Sequence, residues 1–183
     1  MVKLMYFNTR QLSAISISAV LWAVINALVG PMFWNMTHLP VLCDMLGVAT
    51  LSLILWWTRK PGASVMVGAI ATLVTFMVSP GSVQFLGFTV ACIVFEVFTL
   101  ILGYERVLGN NLLGWGLLLF ASFISTVAAG VVIGIFFMNP GFLASAFGGL
   151  AFFAGLHGLG GVIGGVLGVV IVKSLMSRGI QGF

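Results

Sequence analysis

The chain reads as long apolar runs separated by short polar punctuation. Helical spans need about 20 apolar residues. Such runs fall at residues 11–29, 39–57, 63–78, 82–103, 112–138 and 149–176. The breaks between them are Gly30-Pro31, Arg59-Lys60-Pro61-Gly62, Ser79-Pro80-Gly81, Tyr104-Glu105-Arg106 and Asn139-Pro140-Gly141. Proline and glycine mark these boundaries because they break or kink helices. The runs are continuous, whereas strands of a membrane barrel alternate apolar and polar positions. The pattern predicts an all-α membrane protein with six transmembrane helices, forming one domain over residues 1–183. The stretch after Gly141 is too long for one simple span. It predicts a re-entrant or interfacial start, with the sixth span beginning at about Gly149.

Composition narrows the class. Apolar types make up 61% of the 183 residues and charged types 5%, against about 25% charged in a soluble domain. Mean hydropathy is +1.26. A soluble globular enzyme, a disordered tail and a nucleic-acid binder are excluded; the seven basic residues are scattered and form no patch. No P-loop GxxxxGK[ST], HExxH or GxSxG occurs, so no ATP hydrolysis, enzyme activity or resident cofactor is expected; a membrane enzyme or structural scaffold is an alternative with no nucleophile–base pair to name. Cys43 and Cys92 sit inside apolar runs and make no disulfide framework. Lys3 and Arg10 precede a run that suits a first span better than a cleavable signal.

Charge position supplies orientation. Lys3 and Arg10 precede span one; Arg59 and Lys60 follow span two; Arg106 follows span four; Lys173 and Arg178 close the chain. All seven fall on one side of a six-span topology. The positive-inside rule then places both termini in the cytoplasm, in the plasma membrane. Tyr6, Trp56, Trp57, Tyr104 and Trp115 lie at the same ends, as an aromatic belt does.

Polar side chains inside spans are costly and usually face a cavity or a partner. At ~1.5 Å per helical residue, Glu96 lies roughly 15 Å from Arg106, near the midplane. Asp44, Asn26 and His157 are counted by the same rise to the outer third. Trp34 and His38 join them from the first loop, and Gln84 from the start of span four. On span four, Phe85, Thr89, Cys92 and Glu96 share one helical face. Trp22 stands four residues before Asn26, too deep for an interfacial belt. The candidate ligand-binding set is therefore Glu96, Trp22, Asn26, Trp34, His38, Asp44, Gln84, Phe85, Thr89, Phe153 and His157. Structural roles stand beside these. Asp44 near a helix start favours the helix dipole; Asn26 serves as interhelical glue; Gln84 caps; Trp34 anchors at the interface; His157 bonds a carbonyl. No Lys or Arg lies in the outer half, so the expected ligand is neutral or cationic and rich in hydrogen-bond donors. A metal-uptake alternative uses His38, Cys43, Asp44 and His157. Four-residue steps of small residues in span one (Ala19, Ala23, Ala27) and span six (Gly160, Gly164, Gly168) serve either internal packing or docking of a partner.

The stretch Trp57-Thr58-Arg59-Lys60-Pro61-Gly62-Ala63, Ser79-Pro80-Gly81 before span four, and one acid inside that span resemble a known family. It is the substrate-binding S component of energy-coupling factor (ECF) transporters, of the YkoE type. These motifs cover residues 57–100 closely; the rest of the likeness is topology. The resemblance implies capture of thiamin or its hydroxymethylpyrimidine precursor from outside, with an S component for another vitamin as the alternative. It also implies partnership with a transmembrane coupling (T) protein and two ABC ATPases. Glu96 would then accept from an aminopyrimidine, and Trp22, Trp34, Phe85 or Phe153 would stack on the rings. Nickel and cobalt relatives carry a His directly after the first Met, where this chain has Val2.

Overall fold

Asparagines start three of the helices. Asn8 accepts from the Gln11 N–H at 2.8 Å, and Gln11 Oε1 accepts in return from the Asn8 N–H, closing a capping box. Asn111 accepts from the Gly114 N–H at 2.7 Å. Asn139 accepts from the Gly141 and Phe142 N–H groups, with Pro140 in the first turn, where its missing N–H costs nothing. The computed structural model describes residues 6–109, 111–180 and 182; the expectations on Met1, Val2 and Lys3 lie outside these.

The elements are α1 (Thr9–Thr37), α2 (Val41–Thr58), α3 (Ala63–Val78), a 3-10 turn (Val83–Phe85) leading into α4 (Leu86–Leu102), α5 (Tyr104–Val107), α6 (Leu112–Phe136), α7 (Pro140–Phe147) and α8 (Leu150–Ser177). No strand occurs among the described residues. Five of the apolar helices are long enough to cross a membrane: α1, α2, α4 with its 3-10 turn, α6 and α8. The sixth, α3, has 16 residues, ~24 Å against a hydrocarbon core of ~30 Å. The protein is an all-α membrane bundle.

One boundary differs from the sequence reading. Gly30-Pro31 does not stop the first helix, which runs through Pro31 to Thr37. Proline removes only one i→i−4 hydrogen bond, and the helix carries on beyond it, with Trp34 in its last turn packed against Phe147 of α7. The helix stops where His38 takes a left-handed conformation (φ 54°) and its N–H returns to the Trp34 carbonyl. The segment expected to be re-entrant or interfacial is the eight-residue α7.

α8 is the central helix, wedged between α2 and α6, and its glycines explain how. A Cβ on Gly164 would meet the Met45 carbonyl oxygen at 2.5 Å, and one on Gly168 the Ser52 Cβ at 2.5 Å; both belong to α2. A Cβ on Gly165 would meet Leu119 and Ser122 of α6. The glycine steps are thus spent on internal packing. In span one, Ala19 and Ala23 are likewise fully buried, while Ile17, Leu21, Leu28 and Met32 face outward.

The basic residues among the described ones gather at one end of the bundle. Lys60 Nζ donates to the Tyr6 carbonyl at 2.6 Å. Arg59 pairs with Glu105 at 3.3 Å. Lys173 sits 3.3 Å above the centre of the Trp115 ring. These contacts tie together the start of α1, the α2–α3 turn, α5, and the facing ends of α6 and α8.

Candidate functional site

At the opposite end, the bundle opens around a cavity of about 390 Å³. The last turns of α1 supply Asn26, Pro31, Phe33 and Trp34. The start of α2 supplies Cys43 and Asp44. The entry to α4 supplies Gln84, Phe85 and Phe88, and α6 supplies Ala129 and Ile133. Phe153 and His157 come from α8. No Lys or Arg lines it. The wall is mostly apolar and aromatic with a few convergent polar groups, the make-up of a small-molecule site.

Its polar heart is Asp44 with His157. His157 Nδ1 lies 2.7 Å from Asp44 Oδ2, and both side chains are buried. Glycine makes room for the pair. A Cβ on Gly160 would meet Asp44 Cβ at 2.9 Å, and one on Gly130 would meet the His157 ring at 2.8 Å. His157 Nε2 has no hydrogen-bond partner among the described residues. Across the cavity, Asn26 donates its amide nitrogen to the Trp22 carbonyl at 2.9 Å, so Oδ1 is left as an acceptor with no partner among them. Asn26 is 1% exposed and His157 4%. A buried polar atom without a partner is costly, so both atoms are candidates to bond a ligand.

The aromatic wall has its own order. The Trp22 and Phe88 rings stack with centroids 3.6 Å apart, and Phe85 meets Trp22 edge-on at 5.7 Å. Gly47 of α2 leaves space for both; a Cβ there would meet Phe88 at 2.7 Å. Over the other side, Phe147 of α7 stands 5.0 Å from Phe153 and 6.1 Å from Trp34. The short helix thereby covers the end of α8 and the last turn of α1.

Seven of the eleven expected site residues line the cavity: Asn26, Trp34, Asp44, Gln84, Phe85, Phe153 and His157. Four do not. Trp22 lies behind Phe88 and Phe85. His38 caps α1 with its ring 5.9 Å from Trp34. Thr89 and Glu96 do share a helical face with Phe85, as expected, but that face packs on α3. The Thr89 hydroxyl bonds Thr72 at 2.6 Å, and a Cβ on Gly68 would meet Cys92. Glu96 Oε2 accepts from the Ser64 N–H at 2.8 Å, and Oε1 accepts from the Tyr104 hydroxyl at 2.5 Å.

Glu96 lies nearer the basic end than a midplane position counted from Arg106 along an unbroken helix, because α4 ends at Leu102 and the chain turns at Gly103. Glu96 is thus ~9 Å from the helix end, and its carboxylate serves the basic end. There it acts as an N-cap from outside, bonding the free N–H of the first turn of α3. Burial pushes the Tyr104 phenol up, and the hydrogen bond and charge of Glu96 push it further, so Tyr104 stays a donor.

Phe88 is the main cavity residue that sequence reasoning missed. It lies three residues after Phe85, so the i+3 neighbour rule was available to find it. Ala129 and Ile133 carry no polar signal and only the packing of α6 reveals them. For the metal alternative, Cys43, Asp44 and His157 all line the cavity, but no group of three His, Cys, Asp or Glu among the described residues converges closely enough to hold an ion.

No protein-family model and no curated protein matches the chain. Its fold is similar to that of a solved structure described as the crystal structure of an S-component of an ECF transporter. The TM-score is 0.67 at 20% identity, over 95% of this chain and 88% of the other. The fold is that of an S-component.

Proposed function

We propose that the protein is the substrate-capture subunit of an ECF-type importer, binding thiamin or its hydroxymethylpyrimidine precursor in the cavity between α1, α2, α4, α6 and α8. The observation that carries this reading is the cavity's charge and hydrogen-bond character. Its only titratable pair is Asp44 with His157, Asn26 offers an acceptor, and no cation lines it. Such a wall favours a ligand that brings donors or positive charge; an aminopyrimidine brings the donors and a thiazolium ring the charge. Anionic vitamins would find no basic partner. Trp34, Phe85, Phe88 and Phe153 offer ring faces for stacking, helped by cation–π attraction.

The S-component fold and the Arg59-Lys60-Pro61-Gly62-Ala63 turn support the class; the choice of vitamin rests on the cavity and that resemblance. The basic end faces the cytoplasm with both termini, and the cavity opens outward. The chain is a transport subunit rather than an enzyme. A transmembrane coupling protein and two ABC ATPases supply the energy, since no P-loop is present in this sequence.

Titration calorimetry of the purified protein with thiamin and with hydroxymethylpyrimidine tests the reading. Binding of either, lost in His157→Ala, is expected. Preferential binding of an anionic vitamin would sink the assignment.

A further inference from the structure

We propose a second site at the basic end: a notch that binds the phosphate of an anionic phospholipid. The notch lies between the α2–α3 turn and the elbow that joins α4 to α5, and measures about 540 Å³. Its polar side carries Arg59, Arg106 and Glu105, and its apolar side Ile101 and Leu102. The elbow is made by Gly103 at φ +84°, a left-handed conformation that suits glycine. A Cβ built there would meet nothing within 4 Å, so the notch is open at its corner.

The charge balance favours an anion. Two guanidiniums stand against one carboxylate. The Arg59–Glu105 pair is exposed, at 39% and 84% of the two side chains, and such pairs are worth little in water. Arg106 forms no ion pair among the described residues. Arginine presents a planar fork that matches phosphate oxygens two at a time.

The apolar side selects the kind of anion. Ile101 is 76% exposed, as a lipid-facing side chain of a membrane helix is, and it borders the notch one helical step from the charged elbow. A free phosphate ester would use only the arginine side. A phospholipid uses both, with its phosphate at the arginines and its acyl chains along Ile101 and Leu102. Basic pockets at the ends of membrane helices recognise anionic headgroups in this way. The elbow is also held in place from inside, because Tyr104 donates to the buried Glu96 and Arg59 caps α2 in a left-handed conformation, its N–H on the Leu55 carbonyl. The site is thus preformed on fixed backbone.

Native mass spectrometry of the full chain released from mixed phosphatidylglycerol and phosphatidylcholine vesicles tests this. Retention of phosphatidylglycerol over phosphatidylcholine is expected. Loss of either arginine should weaken retention roughly fivefold, and Arg59→Gln with Arg106→Gln should abolish the preference. Lys173→Gln is the control, since Lys173 lies at the same end over Trp115 and outside the notch. Thermal stabilisation by each lipid, read on the same variants, reports folding independently. Equal retention of both lipids, an equal loss in Lys173→Gln, or full replacement by millimolar glycerol phosphate would each overturn the proposal. The last outcome would mean a soluble phosphate site, and the second only diffuse surface charge.

Discussion

Two buried carboxylates lie on neighbouring parts of the same bundle, and the protein treats them in opposite ways. Glu96 is 3% exposed and has a donor on each oxygen, the Ser64 N–H and the Tyr104 hydroxyl. Asp44 is 8% exposed and has one close partner, His157, whose second nitrogen has none. One acid completes a helix terminus; the other leaves hydrogen-bonding capacity facing a cavity. Burial of an acid in a membrane helix marks a constraint, but the kind of constraint depends on whether the surrounding donors are already used.

The sharpest way to break this comparison is to remove Glu96. Glu96→Ala strands the α3 terminus and the Tyr104 hydroxyl, and two charge-assisted hydrogen bonds at about 1.5–3 kcal/mol each are lost. The thermal midpoint should fall by roughly 10 °C, while affinity for the proposed ligand, measured at a temperature where the variant is folded, stays within about threefold of the parent. A large affinity loss without destabilisation would reverse the roles assigned to the two acids. Next in size is Asp44→Asn, which keeps the shape and removes the charge. Affinity for a cationic or aminopyrimidine ligand should drop about 100-fold in calorimetry, equivalent to about 2.7 kcal/mol, with little change in melting. Unchanged affinity would remove the pair from the site.

Two smaller effects sharpen the picture. Gly160→Ala places a methyl against Asp44 Cβ and the Val41 carbonyl, both at 2.9 Å. It should cost about 1–3 kcal/mol through overpacking and also weaken ligand binding, because it pushes α2 from α8 where the pair stands. The equivalent Gly164→Ala meets Met45 instead and should destabilise without touching affinity; comparing melting and binding in the two variants separates these. The smallest change is Tyr104→Phe, which removes one donor from Glu96. About 1.5 kcal/mol is expected, seen as a thermal shift of roughly 3–6 °C. No shift would mean that the phenol is dispensable to the Glu96 cluster.

The site was partly legible before any tertiary contact was known. Asn26, Asp44 and His157 announced themselves as polar residues in apolar runs at similar depth, and the structure brings all three to one cavity. Thr89 and Glu96 were read on the correct helical face, yet that face belongs to the α3 interface. Periodicity tells which residues point the same way and not what they point at. Phe88 was passed over because an aromatic in an aromatic-rich span carries no contrast. Pro31 reads as a stop because its local chemistry disfavours a helix; the loss of one hydrogen bond does not end α1, whose last turn packs Trp34 on Phe147 of α7.

By itself, the amino-acid sequence determined the class and the topology. Ten charges in 183 residues cannot coat a soluble domain, and apolar runs of bilayer length with glycine and proline between them admit only a helical bundle. The placement of basic residues at alternate breaks put them at a common end. The tertiary structure alone decided which buried polar atoms are satisfied. That outcome depends on donors from other helices, such as Ser64 for Glu96, and on glycines that let α8 approach α2 and α6 closely enough for His157 to reach Asp44. These are distances between segments far apart in the chain, set by packing, and no periodicity within one helix encodes them.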